Sequence, residues 1–98
     1  MTSANSRSST QDARRKRALY RAWHRGTREL DMLLGRYAEA NIPAMGEAAL
    51  DRFEALMEAP EPQIMEWIAG RAEPPPEIDH ALVEDLRRFH AARPVARD

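Results

Sequence analysis

The sequence predicts an all-α domain, a small five-helix bundle with one core. Three observations carry this. Apolar residues recur at helical spacing, no segment alternates with a period of two, and most Gly and Pro fall between the periodic segments. Val and Ile are scarce, whereas Ala, Leu, Glu, Arg and Met are common, which favours helix. Prolines stand at 43, 60, 62, 74, 75, 76 and 94, and glycines at 26, 35, 46 and 70.

The first helix is expected from about Asp12, as its cap, to His24, with Ala18, Leu19, Ala22 and Trp23 as its apolar stripe. The second runs from about Thr27 to Ala40. Its Leu30, Leu33, Leu34, Tyr37 and Ala38 follow i, i+3, i+4, i+7, i+8, the pattern of one buried face. Gly35 inside it costs ~1 kcal/mol against alanine, and marks a close approach of two backbones. The third spans about Glu47 to Ala59, burying Leu50, Phe53, Leu56 and Met57. The fourth is short, Glu61 to Ala69, with Pro62 in the first turn, where no N–H is needed. Ile64, Met65, Trp67 and Ile68 form its core side, and Gly70 closes it in a left-handed conformation. The fifth spans about Glu77 to Ala91, with Ile78, Ala81, Leu82, Leu86 and Phe89 inward. Trp23, Trp67, Phe53 and Phe89 are all expected in the core.

Residues 1–10, polar and small, read as a disordered tail, residues 11–92 as the helical domain and 93–98 as a flexible C-terminal tail. About 80 residues are left to pack, and so small a domain buries a modest fraction of its surface. A deep substrate pocket would consume much of that core, which argues against an enzyme. The absence of cysteine excludes disulfides, thiolate metal sites and cysteine nucleophiles. No apolar run reaches the ~20 residues that span a bilayer. The N-terminal stretch has the serine and arginine of a transit peptide, but it is short and weakly amphipathic. The expected compartment is therefore a bacterial cytoplasm, with the mitochondrial matrix as the alternative.

A formal net charge of -1 hides a strong asymmetry. Residues 14–28 hold seven Lys/Arg and no acid, whereas residues 37–86 hold twelve Asp/Glu and only Arg52 and Arg71 as bases. A helix bearing Arg14, Arg17, Arg21, Arg25 and Arg28 would present a positive stripe suited to phosphates, so nucleic-acid binding through residues 14–28 is the alternative function. The acidic middle would repel the same polyanion.

Catalytic and metal constellations are missing. Glu77 and His80 have the Glu-x-x-His spacing of carboxylate di-iron proteins, but the motif occurs once, and a solvated first turn explains it better. Glu29 with Asp31 and Glu84 with Asp85 are not spaced to share a helical face. Serine and threonine cluster in the tail, away from any histidine base, and no glycine loop could cradle a phosphate.

The stretch Arg25-Gly26-Thr27-Arg28-Glu29 remains. Gly26 ends one helix, Thr27 starts the next, and Glu29 and Asp31 suit the positive end of its dipole. Arg28 does not suit that end. Two guanidiniums and a carboxylate around a bare glycine form a surface for a partner, because arginine forks recognise carboxylates and carbonyls with fixed geometry.

This stretch, continued by Leu30-Asp31, resembles the RGxxE motif of the SdhE-type FAD assembly factors. Phe53, Leu56 and Trp67-Ile68-Ala69-Gly70 are similar to that family's later F-x-x-L-L and W-L-x-G landmarks, with Met57 and Ile68 where leucine is usual. The resemblance covers about residues 14–90. It implies a small all-α fold and a non-enzymatic role. The factor would bind the flavoprotein subunit of succinate dehydrogenase or fumarate reductase and promote covalent attachment of FAD to one of its histidines. It would bind no cofactor stably, acting instead on the FAD of the client, and would be a monomer when free. The resemblance places Arg25, Gly26 and Glu29 against the flavoprotein's active site. Arg21, Thr27, Arg28 and Asp31 are added as neighbours on the same surface.

Overall fold

A computed structural model describes residues 3–92, with side chains from Thr10 onward. Five α-helices follow in order: α1 (Ser3–Trp23), α2 (Arg28–Asn41), α3 (Glu47–Met57), α4 (Glu61–Ala69) and α5 (His80–Ala92). A 3-10 turn at Ile42–Ala44, with Pro43 inside it, joins α2 to α3. There is no strand among the described residues. The expected 93–98 tail lies outside them.

Three boundaries differ from the sequence reading by two residues or more. Helix α1 starts at Ser3 instead of Asp12, inside the stretch expected to be a tail. No glycine or proline lies between Ser3 and Trp23 to interrupt it. Asp12 is thus not a cap. Its carboxylate takes the Arg15 guanidinium one turn on, at 3.2 Å. Helix α3 ends at Met57, two residues short of Ala59 and ahead of Pro60. Helix α5 starts at His80, not Glu77. The Asp79 carboxylate accepts from the Ala81 N–H at 3.0 Å, so Asp79 is the cap, and Ile78 is tied into a turn by its N–H to the Pro75 carbonyl at 3.0 Å. Glu77 and His80 therefore share no helical face.

Other signals hold as read. The Thr27 hydroxyl accepts from the Leu30 N–H at 3.3 Å, capping α2. At the end of α4, Gly70 has φ 81°, and the N–H groups of Gly70 and Arg71 reach the carbonyls of Trp67 and Glu66 at 3.1 and 2.9 Å. That pair of bonds is a Schellman closure, which a left-handed residue makes possible.

One core joins all five helices. Leu30, Leu34, Tyr37 and Ala38 from α2 meet Leu50, Phe53, Leu56 and Met57 from α3, Ile64 and Trp67 from α4, and Leu82, Val83 and Leu86 from α5. Among the described residues, helix α1 supplies only Ala18 and Ala22 to the fully buried set. Small residues there let it pack closely on α2. Val83, absent from the expected stripe, is buried, whereas Ala81 is exposed and Leu33 only half-buried. Starting α5 at His80 leaves Ile78 before the helix, at the position that staples onto Val83. Phe53 and Trp67 are core as expected, and Phe89 packs half-buried against Tyr37, edge to face at 5.4 Å. Trp23 is half-buried, and its indole lies on Gly35: a Cβ at Gly35 would stand 2.2 Å from Trp23 Cδ2. The close approach at Gly35 is thus ring on backbone rather than backbone on backbone.

Polar contacts fix how α5 sits. Arg87 Nε donates to the Trp67 carbonyl at 2.7 Å, and Tyr37 donates its hydroxyl to Asp85 at 2.5 Å. Burial, reinforced by Asp85, pushes the Tyr37 hydroxyl pKa up. His90 Nε2 lies 2.8 Å from the Leu33 carbonyl and so carries the proton, while its buried Nδ1 has no partner. Burial lowers the His90 pKa, the Leu33 carbonyl opposes this, and Arg36 adds to the lowering. The folded state thus prefers the neutral ring. Unfolded chains take up the proton first as pH falls through ~6.5, so stability is lost on the acid side of that value. Melting temperatures measured from pH 7.5 to 5.5 should fall, and His90→Gln should flatten that part of the curve.

Candidate functional site

The candidate site is the four-residue junction between α1 and α2, held in one shape from three directions. Asp31, in the first turn of α2, points its carboxylate back at the chain that precedes the helix. Its Oδ1 accepts from the Arg25 N–H at 2.5 Å and from the Gly26 N–H at 3.3 Å. Thr27 caps the helix with its side chain, and its carbonyl accepts the Asp31 N–H at 2.9 Å. Gly26 has φ 116°, a conformation that L side chains rarely adopt, and a Cβ there would also stand 2.9 Å from the Glu61 carboxylate. Asp31 and Gly26 thus shape the turn.

The side chains of the turn divide into two groups. Arg21 and Arg25 face the fold. Arg21 pairs with Glu58 at 2.8 Å, and Arg25 Nη2 reaches the Ala59 carbonyl at 3.4 Å while its buried Nε has no partner. Gly26, Thr27, Arg28 and Glu29 are exposed. Arg28 and Glu29 make no hydrogen bond or ion pair among the described residues. The Glu29 carboxylate is felt electrostatically by Arg71, whose guanidinium is bound by Glu66 at 3.0 Å. So the seven predicted residues do lie at one junction. Five of them build it or buttress it through their contacts, or frame it. Arg28 and Glu29 are the two charged groups left for something else.

The same geometry reorders the basic segment. Arg14 pairs with Asp51 and Glu54 of α3, and the two carboxylates raise its pKa further. Arg15 reaches the Met45 carbonyl at 2.9 Å. Arg21 and Arg25 are also turned onto the α3 side, and the acidic middle of the chain neutralises two members of the expected positive stripe, Arg14 and Arg21. Of the seven cations, Lys16, Arg17, Arg25 and Arg28 are left without a carboxylate partner among the described residues, and of these Arg25 is turned onto a backbone carbonyl. The contribution of Glu54, Glu58, Ala59, Glu61 and Arg71 was not read from sequence. The charge asymmetry signalled it, but which acid meets which base is a tertiary fact.

No group of three or more His, Cys, Asp or Glu able to hold a metal occurs among the described residues, and no helix there is long and apolar enough to cross a membrane.

Fold and junction together define a small all-α protein with an exposed, charged turn fixed by its own hydrogen bonds. Comparison with known proteins makes the class specific. A family model described as the flavinator of succinate dehydrogenase matches residues 16–90, and the chain belongs to that family. It is 40% identical over 79 residues to the FAD assembly factor SdhE of Acetobacter pasteurianus, covering 76% of this chain and 72% of that one. It is 37% identical over 70 residues to the mitochondrial succinate dehydrogenase assembly factor 2 of Dictyostelium discoideum, covering 71% of this chain and half (50%) of that one. The Caenorhabditis briggsae protein of the same name is 32% identical over 92 residues, 88% of this chain and 73% of its own. Relatives thus come from bacteria and from mitochondria. No solved structure matches the chain.

Proposed function

We propose that this chain is an assembly factor that binds the flavoprotein subunit of succinate dehydrogenase, or of fumarate reductase, and promotes covalent attachment of FAD to a histidine of that subunit. It is not itself an enzyme and holds no cofactor stably. The bond forms between the client's histidine and the flavin's C8-methyl carbon, and the chemistry is that of the flavin. The observation that carries this reading is the junction: a turn locked by Asp31, Thr27 and Gly26 that holds Arg28 and Glu29 outward, with no hydrogen bond or ion pair to their side chains among the described residues.

In this reading Gly26, Arg28 and Glu29 face the client's active site, while Arg21, Arg25, Thr27 and Asp31, whose side chains are turned onto the fold or the turn itself, hold them in place. Holding a nucleophile and its target in a reactive orientation can supply ~7–11 kcal/mol of a barrier. A factor that binds the reactive conformer of its client best would deliver part of that by shifting the population. A turn fixed before binding suits the task, because little ordering cost falls on the encounter. The reading places the chain with its client, in a bacterial cytoplasm, the mitochondrial matrix being the alternative.

The test is deletion of the gene in its host. Cell protein is run on a denaturing gel, and the fluorescence of covalent flavin is read at the flavoprotein band under ultraviolet light. The band should disappear and return with a wild-type copy. An undiminished band, with the flavoprotein itself present, would show that the factor is dispensable for flavin attachment.

A further inference from the structure

The face of α1 that leads into the junction is the part of the basic segment that the fold does not use. Arg17, Tyr20 and His24 follow at i, i+3 and i+7, on one side of the helix. Arg17 and its neighbour Lys16 have no carboxylate partner among the described residues, in contrast to Arg14 and Arg21 on the flank that meets α3. Tyr20 is 65% exposed, the only large hydrophobic side chain so exposed among the described residues.

Tyr20 is also held in place. Its ring stacks on His24 with centroids 3.9 Å apart and planes 19° from parallel, and His24 Nδ1 lies 2.6 Å from the Tyr20 carbonyl. An exposed aromatic side chain already fixed in one orientation loses little freedom on binding, and tyrosine and arginine are the residues that most often carry interface energy. Two cations beside the ring call for negative charge on the other side.

We infer that Arg17, Tyr20 and His24 form a second contact patch, continuous along the chain with the Arg25–Glu29 turn, that docks on an acidic, carboxylate-bearing surface of the flavoprotein client. The inference rests on the assembly-factor reading above and deepens it: the turn addresses the reacting site, and the patch supplies affinity and orientation beside it. A protein surface fits better than a nucleic acid. A polyanion would have to run past Asp51 and Glu54 of the adjoining α3 and Glu58 just after it, whereas a local acidic patch need not.

The test is calorimetric titration of the full chain into the FAD-loaded flavoprotein subunit of the host's succinate dehydrogenase, produced without the factor. Tyr20→Ser should weaken Kd by ~10-fold or more and Tyr20→Phe by ~2-fold or less, since the phenyl ring keeps the stack. Arg17→Glu should weaken it by ~10-fold and reduce the dependence of Kd on salt. Unchanged melting curves would show that the exposed substitutions leave the fold intact. If the wild type binds and both Tyr20→Ser and Arg17→Glu match it within twofold, the patch is overturned while the assembly-factor reading stands. If the wild type does not bind the subunit at all, both fall. Binding of a mixed-sequence duplex that Arg17→Glu abolishes, or self-association that Tyr20→Ser abolishes, with subunit binding unchanged in each case, would assign the patch to another partner and also overturn the inference.

Discussion

Gly35→Ala should lower the melting temperature by about 8–16 °C, although alanine is the better helix former by ~1 kcal/mol. The new methyl would stand 2.2–2.6 Å from three atoms of the Trp23 ring, a distance that no contact between carbons tolerates. Neither partner yields cheaply. Gly35 is buried backbone in the middle of α2, fixed by the helix on both sides. Trp23 is the last residue of α1, so the indole must swing outward, and the half of it that is buried is then exposed. A buried indole covers ~150–250 Å², and returning about half of that to water at ~25 cal/mol per Å² costs about 2–3 kcal/mol. Helix propensity returns ~1 kcal/mol of it, and residual crowding of the α1–α2 contact adds up to a further ~1 kcal/mol. The net loss is ~2 kcal/mol, at ~4–8 °C per kcal/mol for a domain of this size. Thermal melts followed by circular dichroism give the shift. Trp23→Ala should destabilise by itself, and adding Gly35→Ala to it should cost little or nothing, because the clash has gone. Additive losses would mean that the ring is not what Gly35 makes room for.

That contact shows where sequence reading stops. Both halves were visible, a tryptophan at the end of one helix and a glycine inside the next, but nothing in one dimension says that they touch. Local chemistry was legible at three helix ends. Thr27 caps α2, Pro62 opens α4, and Gly70 closes it, because each acts on backbone groups within four residues. The periodic stripes of α2, α3 and α4 named most of the core for the same reason. The start of α5 was misplaced because acidic residues beside a proline run look like a helical first turn, while the actual cap is Asp79. At the junction, the residue types announced a surface. Which arginines serve it was not legible. Arg14 and Arg21 are claimed by carboxylates 37–40 residues away in sequence. The alternative function weakened at that point, since a stripe of five arginines became two flanks with different roles.

Glu29→Ala and Asp31→Ala should separate what the junction does from what holds it together. Glu29 is exposed and makes no hydrogen bond or ion pair within the described fold. Its removal touches no buried group, so the melting temperature should stay within the ~0.5 kcal/mol typical of exposed sites. If Glu29 faces the client's active site, covalent flavin in a deletion strain carrying this variant should fall at least ~10-fold below the wild-type level, equivalent to ~1.4 kcal/mol in the reactive complex. Asp31 acts differently. Its carboxylate accepts two backbone N–H groups and anchors the turn to α2. Hydrogen bonds to a charged group contribute ~1.5–3 kcal/mol each when buried. Here Gly26 is exposed and water replaces part of the loss, so Asp31→Ala should destabilise by ~1–2 kcal/mol. Covalent flavin should fall as well, because the turn that presents Arg28 and Glu29 is no longer fixed. Asp31→Asn retains one acceptor oxygen and should recover much of both. The pattern is diagnostic: Glu29→Ala loses flavin attachment at full stability, and Asp31→Ala loses both together. If Glu29→Ala retained wild-type flavin while Asp31→Ala lost it, the turn would matter through its backbone shape and Arg28, and the role given to the Glu29 carboxylate would be wrong.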